Sequence, residues 1–170
     1  MPIIARAPES NFNPAPEGLH GAVCCDVVEL GAEPNPFNGG VLQEKVRIIW
    51  QLADEDPETA RPFEASQKYT LSLHEKAKLC QHLEAWRGRK FTEEEKRGFD
   101  LEKLIGVGCQ IQVVHNVSDN GKTYANVQAV VPLGKGMVRI PVSEAYQRVK
   151  NRRARAPEET HEVDPDPVPF

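Results

Sequence analysis

The hydrophobic period of this chain changes twice, and few folds accommodate both changes. Between Val41 and Ala53, Val46, Ile48, Trp50 and Leu52 alternate with Lys45, Arg47, Ile49 and Gln51. A period of two puts the first set on one face of a strand and the second on the other, so one face is apolar and the other basic. From His74 to Arg87 the apolar positions Ala77, Leu79, Cys80, Leu83 and Trp86 recur every three or four residues. That is the stripe of an amphipathic helix, with Ser72 as its cap and Gly88 as its stop. From Cys109 the period returns to two. Ile111 and Val113 alternate with Gln110 and Gln112 as far as Ser118, Asp119-Asn120-Gly121 supplies a hairpin turn, and a partner strand runs from Lys122 to Val131.

The flanking segments complete the order of elements. Leu19 to Leu30 passes through the β-branched stretch Ala22 to Val28 and predicts a first strand, with Asp26 facing solvent. Two prolines and a Gly pair make Glu33 to Gly40 a loop, and Phe63 to Leu73, which holds Lys68 and Tyr69 in alternation, predicts a third strand. Thr92-Glu93-Glu94-Glu95 has the form of a capping box at the start of a second, short helix. Phe99 to Gly106 supplies an apolar plug, and Met137 to Val142 an edge strand. Residues 1–17 contain Pro2, Pro8, Pro14 and Pro16 and are expected to be a flexible arm. The folded domain is then 18–142, followed by a basic linker or short helix at 143–155 and a disordered acidic tail at 156–170.

Composition excludes several classes. No apolar run approaches the roughly 18 residues of a membrane-spanning helix, so no membrane partner is expected. Met1 to Pro8 lacks the charged start and apolar stretch of a secretory signal, which points to the cytoplasm. Cys24, Cys25, Cys80 and Cys109 form no CxxC pair and are expected to be small buried residues, with no metal and no cofactor implied. No HExxH, GxSxG or phosphate loop occurs, and the five histidines lack a partner pattern, so an enzyme is not expected. The net charge of −4 belongs to the tail. Residues 156–170 hold five acids and no Lys or Arg, so in residues 1–155 the remaining 20 acids meet 21 Lys and Arg, a balance of +1.

Three strands, a helix and a two-stranded hairpin form the element order of the OB-fold, a mostly β, five-stranded Greek-key barrel (β1-β2-β3-α-β4-β5) that commonly binds oligonucleotides or oligosaccharides. Single-stranded nucleic acid requires cations for phosphates and exposed aromatics for base stacking. The candidates are Lys45 and Arg47 on the second strand, Lys68 on the third, Lys122 and Tyr124 opening the fifth, and Arg87, Arg89, Lys90 and Phe91 after the helix. Trp50 and Tyr69 are in phase with core positions; each is either a barrel-core residue or a stacking platform near the barrel mouth. In Tyr124 the phase is outward, because Thr123, Ala125, Val127 and Ala129 take the core side.

The tail segment Asp164-Pro165-Asp166-Pro167-Val168-Pro169-Phe170 resembles the acidic tip of bacterial single-stranded DNA-binding proteins, with Asp166, Val168, Pro169 and Phe170 matching and prolines at 165 and 167 departing from the denser acidic run. Phe99 to Gly106 and Gly121 to Val127 resemble phage and prophage proteins of single-stranded DNA-binding type. The resemblance implies a protein of the bacterial host cytoplasm that protects single-stranded DNA during phage or prophage replication and recombination. It also implies that Asp164, Asp166, Val168, Pro169 and Phe170 dock replication or recombination enzymes. Independently of the resemblance, the five tethered acids of the tail are expected to lie over the basic surface when DNA is absent. RNA binding by the same surface, a homo-oligomer, and an OB-fold interaction or inhibitor protein aimed at a host enzyme stay open as alternatives.

Overall fold

A computed structural model of the chain describes residues 14–151, apart from the Asn38 side chain. Five strands, β1 (Gly18–Asn35), β2 (Val41–Glu55), β3 (Pro62–Thr70), β4 (Gly108–Val117) and β5 (Thr123–Val131), close into one barrel in the order β1-β2-β3-β5-β4. Every pair is antiparallel except β3 with β5, whose parallel pairing at Ser66 and Asn126 shuts the barrel. With helix α1 (Lys78–Arg87) between β3 and β4, this is the OB-fold expected from the order of elements. The arm up to residue 13 and the tail at 156–170 lie outside the described residues.

The inward positions of the strands fill the barrel. Ile48, Trp50 and Leu52 of β2 pack with Ile111 and Val113 of β4 and with Val127 and Val130 of β5, each no more than 1% exposed. Leu79, Cys80, Leu83 and Trp86 form the buried stripe of α1, which lies against β5 and β3. The helix begins at Lys78 and not at His74, because Ser72 Oγ accepts from the His74 N–H at 3.1 Å in a local turn instead of capping a helix. Gly88 ends it at φ 75°, with its N–H donating to the Glu84 carbonyl at 2.9 Å. α2 (Glu93–Lys96) opens with the predicted Thr92–Glu95 capping box, and the plug is a 3-10 turn at Leu101–Leu104 with Leu104 buried.

Three expectations are corrected by pairing that is not local. β1 runs on to Asn35, beyond the predicted loop start at Glu33, because a bulge between Glu29 and Gly31 lets the ribbon with β2 continue as far as Asn35 and Val41. A second bulge separates Cys24 from Asp26, and Asp26 is 1% exposed instead of facing solvent. In β5 a shift opposite Gln112 and Val113 makes Gln128 an extra residue, so Val130 enters the core where Ala129 was expected.

What buries Asp26 is the chain after β5. Met137 to Val142 forms no strand; the segment crosses the barrel as irregular coil. A Cβ at Gly108 would stand 2.8 Å from Leu133 Cδ1 and 2.9 Å from Arg139 Cγ, so the glycine admits this close passage. Ser143 N–H then donates to Gln51 Oε1 at 2.9 Å, which explains why outward-facing Gln51 is only 3% exposed. Asp26 accepts from the Tyr146 hydroxyl at 2.9 Å, Arg148 Nε at 3.0 Å and the Val149 N–H at 2.8 Å. Arg148 also reaches both oxygens of Glu102, at 2.6 and 3.0 Å. Burial by itself would raise the Asp26 pKa, but these three donors outweigh it and hold the carboxyl below its ordinary value. Residues 143–151, expected as a linker or short helix, are thus a strap on the barrel.

Candidate nucleic-acid interface

The outer face of β2 and β3 gathers three of the expected cations. The register sets Lys45 opposite Thr70, Arg47 opposite Lys68 and Ile49 opposite Ser66. Like charges directly opposite on neighbouring strands are destabilising, so the Arg47–Lys68 pair is a cost the fold does not require. Local partners soften it: Arg47 Nη1 donates to Ser66 Oγ at 3.1 Å, and Lys68 is ion-paired with Glu33. Lys45 Nζ donates to Thr70 Oγ1 at 2.6 Å. These contacts hold the ammonium and guanidinium groups along one side of the sheet, where phosphates could replace the neutral partners.

Two loops flank this face. At one end the β1–β2 connection carries Phe37, 97% exposed, on a 3-10 turn (Pro36–Asn38) capped by the Asn35 side chain. Phe37 is not among the expected site residues; its signal in the sequence is an aromatic in a Pro- and Gly-rich connection. At the other end Ser118 N–H donates to the Lys122 carbonyl at 2.8 Å, closing the predicted β4–β5 turn and bringing Lys122 and Tyr124 to its rim. Tyr124 is 47% exposed, as its phase predicted. From the parallel Ser66–Asn126 pair, Tyr124 lies on the Glu64 side and Lys68 on the opposite side, so the aromatic and the cations occupy different ends of one face.

Of the remaining aromatics, Phe91 is corrected, and Trp50 and Tyr69 take the core role of their two alternatives. Trp50 (0% exposed), Tyr69 (2%) and Phe91 (6%) are buried and offer no ring face to a base. Trp50 tilts against Trp86 at 6.0 Å between centroids, and the Tyr69 hydroxyl meets His82 Nδ1 at 2.6 Å beneath α1. Burial and the charge of Lys78 push the His82 pKa down to about 4, so that ring is neutral at physiological pH.

Arg87, Arg89 and Lys90 do not join the β2–β3 face. Arg87 Nη2 donates to Glu95 at 2.8 Å and its guanidinium lies 4.6 Å from the Phe91 centroid. Arg87 and Arg89 border a cavity of about 420 Å³ between α1, the Leu101–Leu104 turn and the start of β4, to which β2 and β3 contribute no residue. Lys90 lines a separate, more polar hollow with Glu75 and Glu84. Asp164, Asp166, Val168, Pro169 and Phe170 lie outside the described residues.

Among the described residues no three His, Cys, Asp or Glu side chains come together as a metal site, and no helix is long and apolar enough to cross a membrane. No protein-family model matches the chain, and no curated protein matches it either.

Proposed function

We propose that the outer face of β2 and β3, with its two flanking loops, binds single-stranded DNA with little sequence preference and protects it during phage or prophage DNA replication or recombination. The observation that carries this reading is the Arg47–Lys68 cross-strand pair beside Lys45 on the ligand-binding face of an OB barrel. A backbone phosphate between the two strands would relieve their repulsion. Phe37 and Tyr124, exposed at opposite ends of the face, supply the stacking surfaces, each worth about 1–3 kcal/mol per base. The acidic segment with Asp164, Asp166, Val168, Pro169 and Phe170 serves to recruit replication or recombination enzymes.

A second reading, an interaction or inhibitor protein aimed at a host enzyme, is favoured by the apolar end of the β1–β2 ribbon, where Val41 and Leu42 are 56% and 67% exposed beside Phe37. Fluorescence anisotropy with labelled oligo-dT, duplex DNA and oligo-U at two salt concentrations separates the readings. Salt-sensitive preference for oligo-dT over duplex, weakened by Arg47→Ala, is expected. No binding to any of the three at low salt overturns the DNA reading and leaves the apolar ribbon as the surface to pursue.

A further inference from the structure

The outer face of β1, β2 and β3 is built of rows that cross the sheet, and the register sets an acid beside the row of the Arg47–Lys68 pair. Val28, Arg47 and Lys68 make one row, Asp26, Ile49 and Ser66 the next, and Val23, Gln51 and Glu64 the one after. The bulge at Cys25 turns Asp26 to this side: Cys24, opposite Trp50, points into the core, whereas Asp26 stands opposite outward-facing Ile49. Asp26 is thus the diagonal neighbour of Arg47, and such neighbours are about 7–8 Å apart. A bare carboxylate there harms a phosphate-binding face in two ways, by competing for the Arg47 guanidinium and by repelling the phosphate. The separation is shorter than the Debye length of about 10 Å at 0.1 M salt, so screening does not remove the effect.

The strap removes that charge from the face. Ser143 docks on Gln51 in the outermost row, and Tyr146, Arg148 and Val149 close over Asp26, with the Arg148 guanidinium 3.0 Å from its carboxylate. Val23 is buried as well, although it lies in an outward row and outside the packed core. The next row stays half-open, with Arg47 on the neutral Ser66 hydroxyl. We infer that docking of residues 143–151 sets the DNA affinity of the β2–β3 face by neutralising Asp26, with Arg148 as the positioning residue. With the strap docked, the face presents Lys45, Arg47 and Lys68 to phosphates; with the strap lifted, Asp26 joins them and affinity falls. The inference rests on the DNA reading above and adds its regulation. Removing Arg148 leaves Asp26 and Glu102 as two acids without the base they share, and removing the Asp26 charge as well restores the parent's net charge. Because coupling between two equilibria is reciprocal, single-stranded DNA in turn holds the strap down.

The test is anisotropy titration of labelled oligo-dT with the full chain, Arg148→Ala and Asp26→Asn/Arg148→Ala at two salt concentrations. A unit charge at the Asp26 position changes the binding constant by roughly three- to tenfold, so Arg148→Ala should bind that much more weakly than the parent at low salt. The deficit should shrink at high salt, and the double variant should return to within about twofold of the parent. Equal binding by Arg148→Ala and the parent overturns the inference. A deficit that persists in the double variant overturns it in favour of a strap that only shapes the barrel. A parent that does not bind oligo-dT removes the DNA reading itself, and the inference with it. Hydrogen exchange on the parent chain gives a measurement that no variant's folding can obscure. Saturating oligo-dT should slow exchange of the Val149 and Ser143 amides, which bond to Asp26 and Gln51, and unchanged exchange overturns the coupling.

Discussion

Replacing Arg148 with Ala tests the strap that covers Asp26. Asp26 is 1% exposed and accepts four hydrogen bonds, one from the adjacent Val27 N–H and three from residues 146–149. Removing one partner of a buried ion pair costs about 3–5 kcal/mol when the remaining charge stays buried. Here that figure is a ceiling, because the strap can lift and let water reach Asp26, so the loss is limited to the free energy with which residues 143–151 dock. Hydrogen bonds to a charged group contribute about 1.5–3 kcal/mol each, and the Tyr146 and Val149 bonds would be lost with the docking. An overall destabilisation of about 2–4 kcal/mol is therefore expected for Arg148→Ala. Urea unfolding followed by Trp50 and Trp86 fluorescence measures it, and a cycle with Asp26→Asn isolates the coupling, expected at 1 kcal/mol or more, roughly. Glu102→Ala, which removes a half-exposed partner of the same Arg148, should cost under about 1 kcal/mol. If Arg148→Ala lies within about 0.5 kcal/mol of the parent, or is additive with Asp26→Asn, the strap does not stabilise the barrel.

Phe37→Ala should leave the unfolding midpoint unchanged, since the ring is 97% exposed, and weaken oligo-dT binding roughly 5- to 100-fold. Trp50→Ala, at 0% exposed, should instead cost about 3–5 kcal/mol of stability; a stable Trp50→Ala protein with lost binding would reverse the assignment of the two rings. Arg47→Ala should lower the slope of log K against log salt by about 0.7, the value for one phosphate contact with a single strand, and an unchanged slope argues against phosphate contact at Arg47. His82 has a folded pKa of about 4 against an ordinary 6.5, so the unfolded chain takes up a proton that the native chain refuses. Its contribution is complete above pH 6.5 and is lost as pH falls towards 4, by about 1 kcal/mol after allowance for partial exposure; an NMR titration midpoint near 6.5 would remove the effect. Gly88→Ala, at φ 75°, should cost about 1 kcal/mol by thermal unfolding, and no loss would mean that the helix end relaxes.

Much of the candidate site is visible in the alternation of β2 and β3. Lys45, Arg47 and Lys68 are placed outward by the period of two, and neighbouring strands of the same sheet bring them together. Tyr124 follows from its phase in β5. Trp50 and Tyr69 show the limit of the same rule, because phase identifies the inward face but not whether an inward ring sits at the barrel mouth or deep in it; closure of the barrel and α1 above Tyr69 decided that. Phe91 and Arg87 lie in a basic stretch, yet α2 and the Leu101–Leu104 turn fold back on them, so Phe91 is buried and Arg87 is engaged with Glu95.

What the amino-acid sequence determined by itself is whatever arises within a few residues. The alternation of β2, the stripe and Gly88 stop of α1, the Thr92–Glu95 box and the Asp119–Gly121 turn are all set by local sterics and hydrogen bonds, and each stands where it was read. Tertiary structure decided the parallel β3–β5 closure, the bulges that turn Asp26 and Val130, and the seating of Arg148 on an acid 122 residues earlier. No local pattern encodes such pairings, because the energy of a bulge or a buried charge depends on what covers it. That cover is supplied by segments whose positions exist only once the barrel has closed.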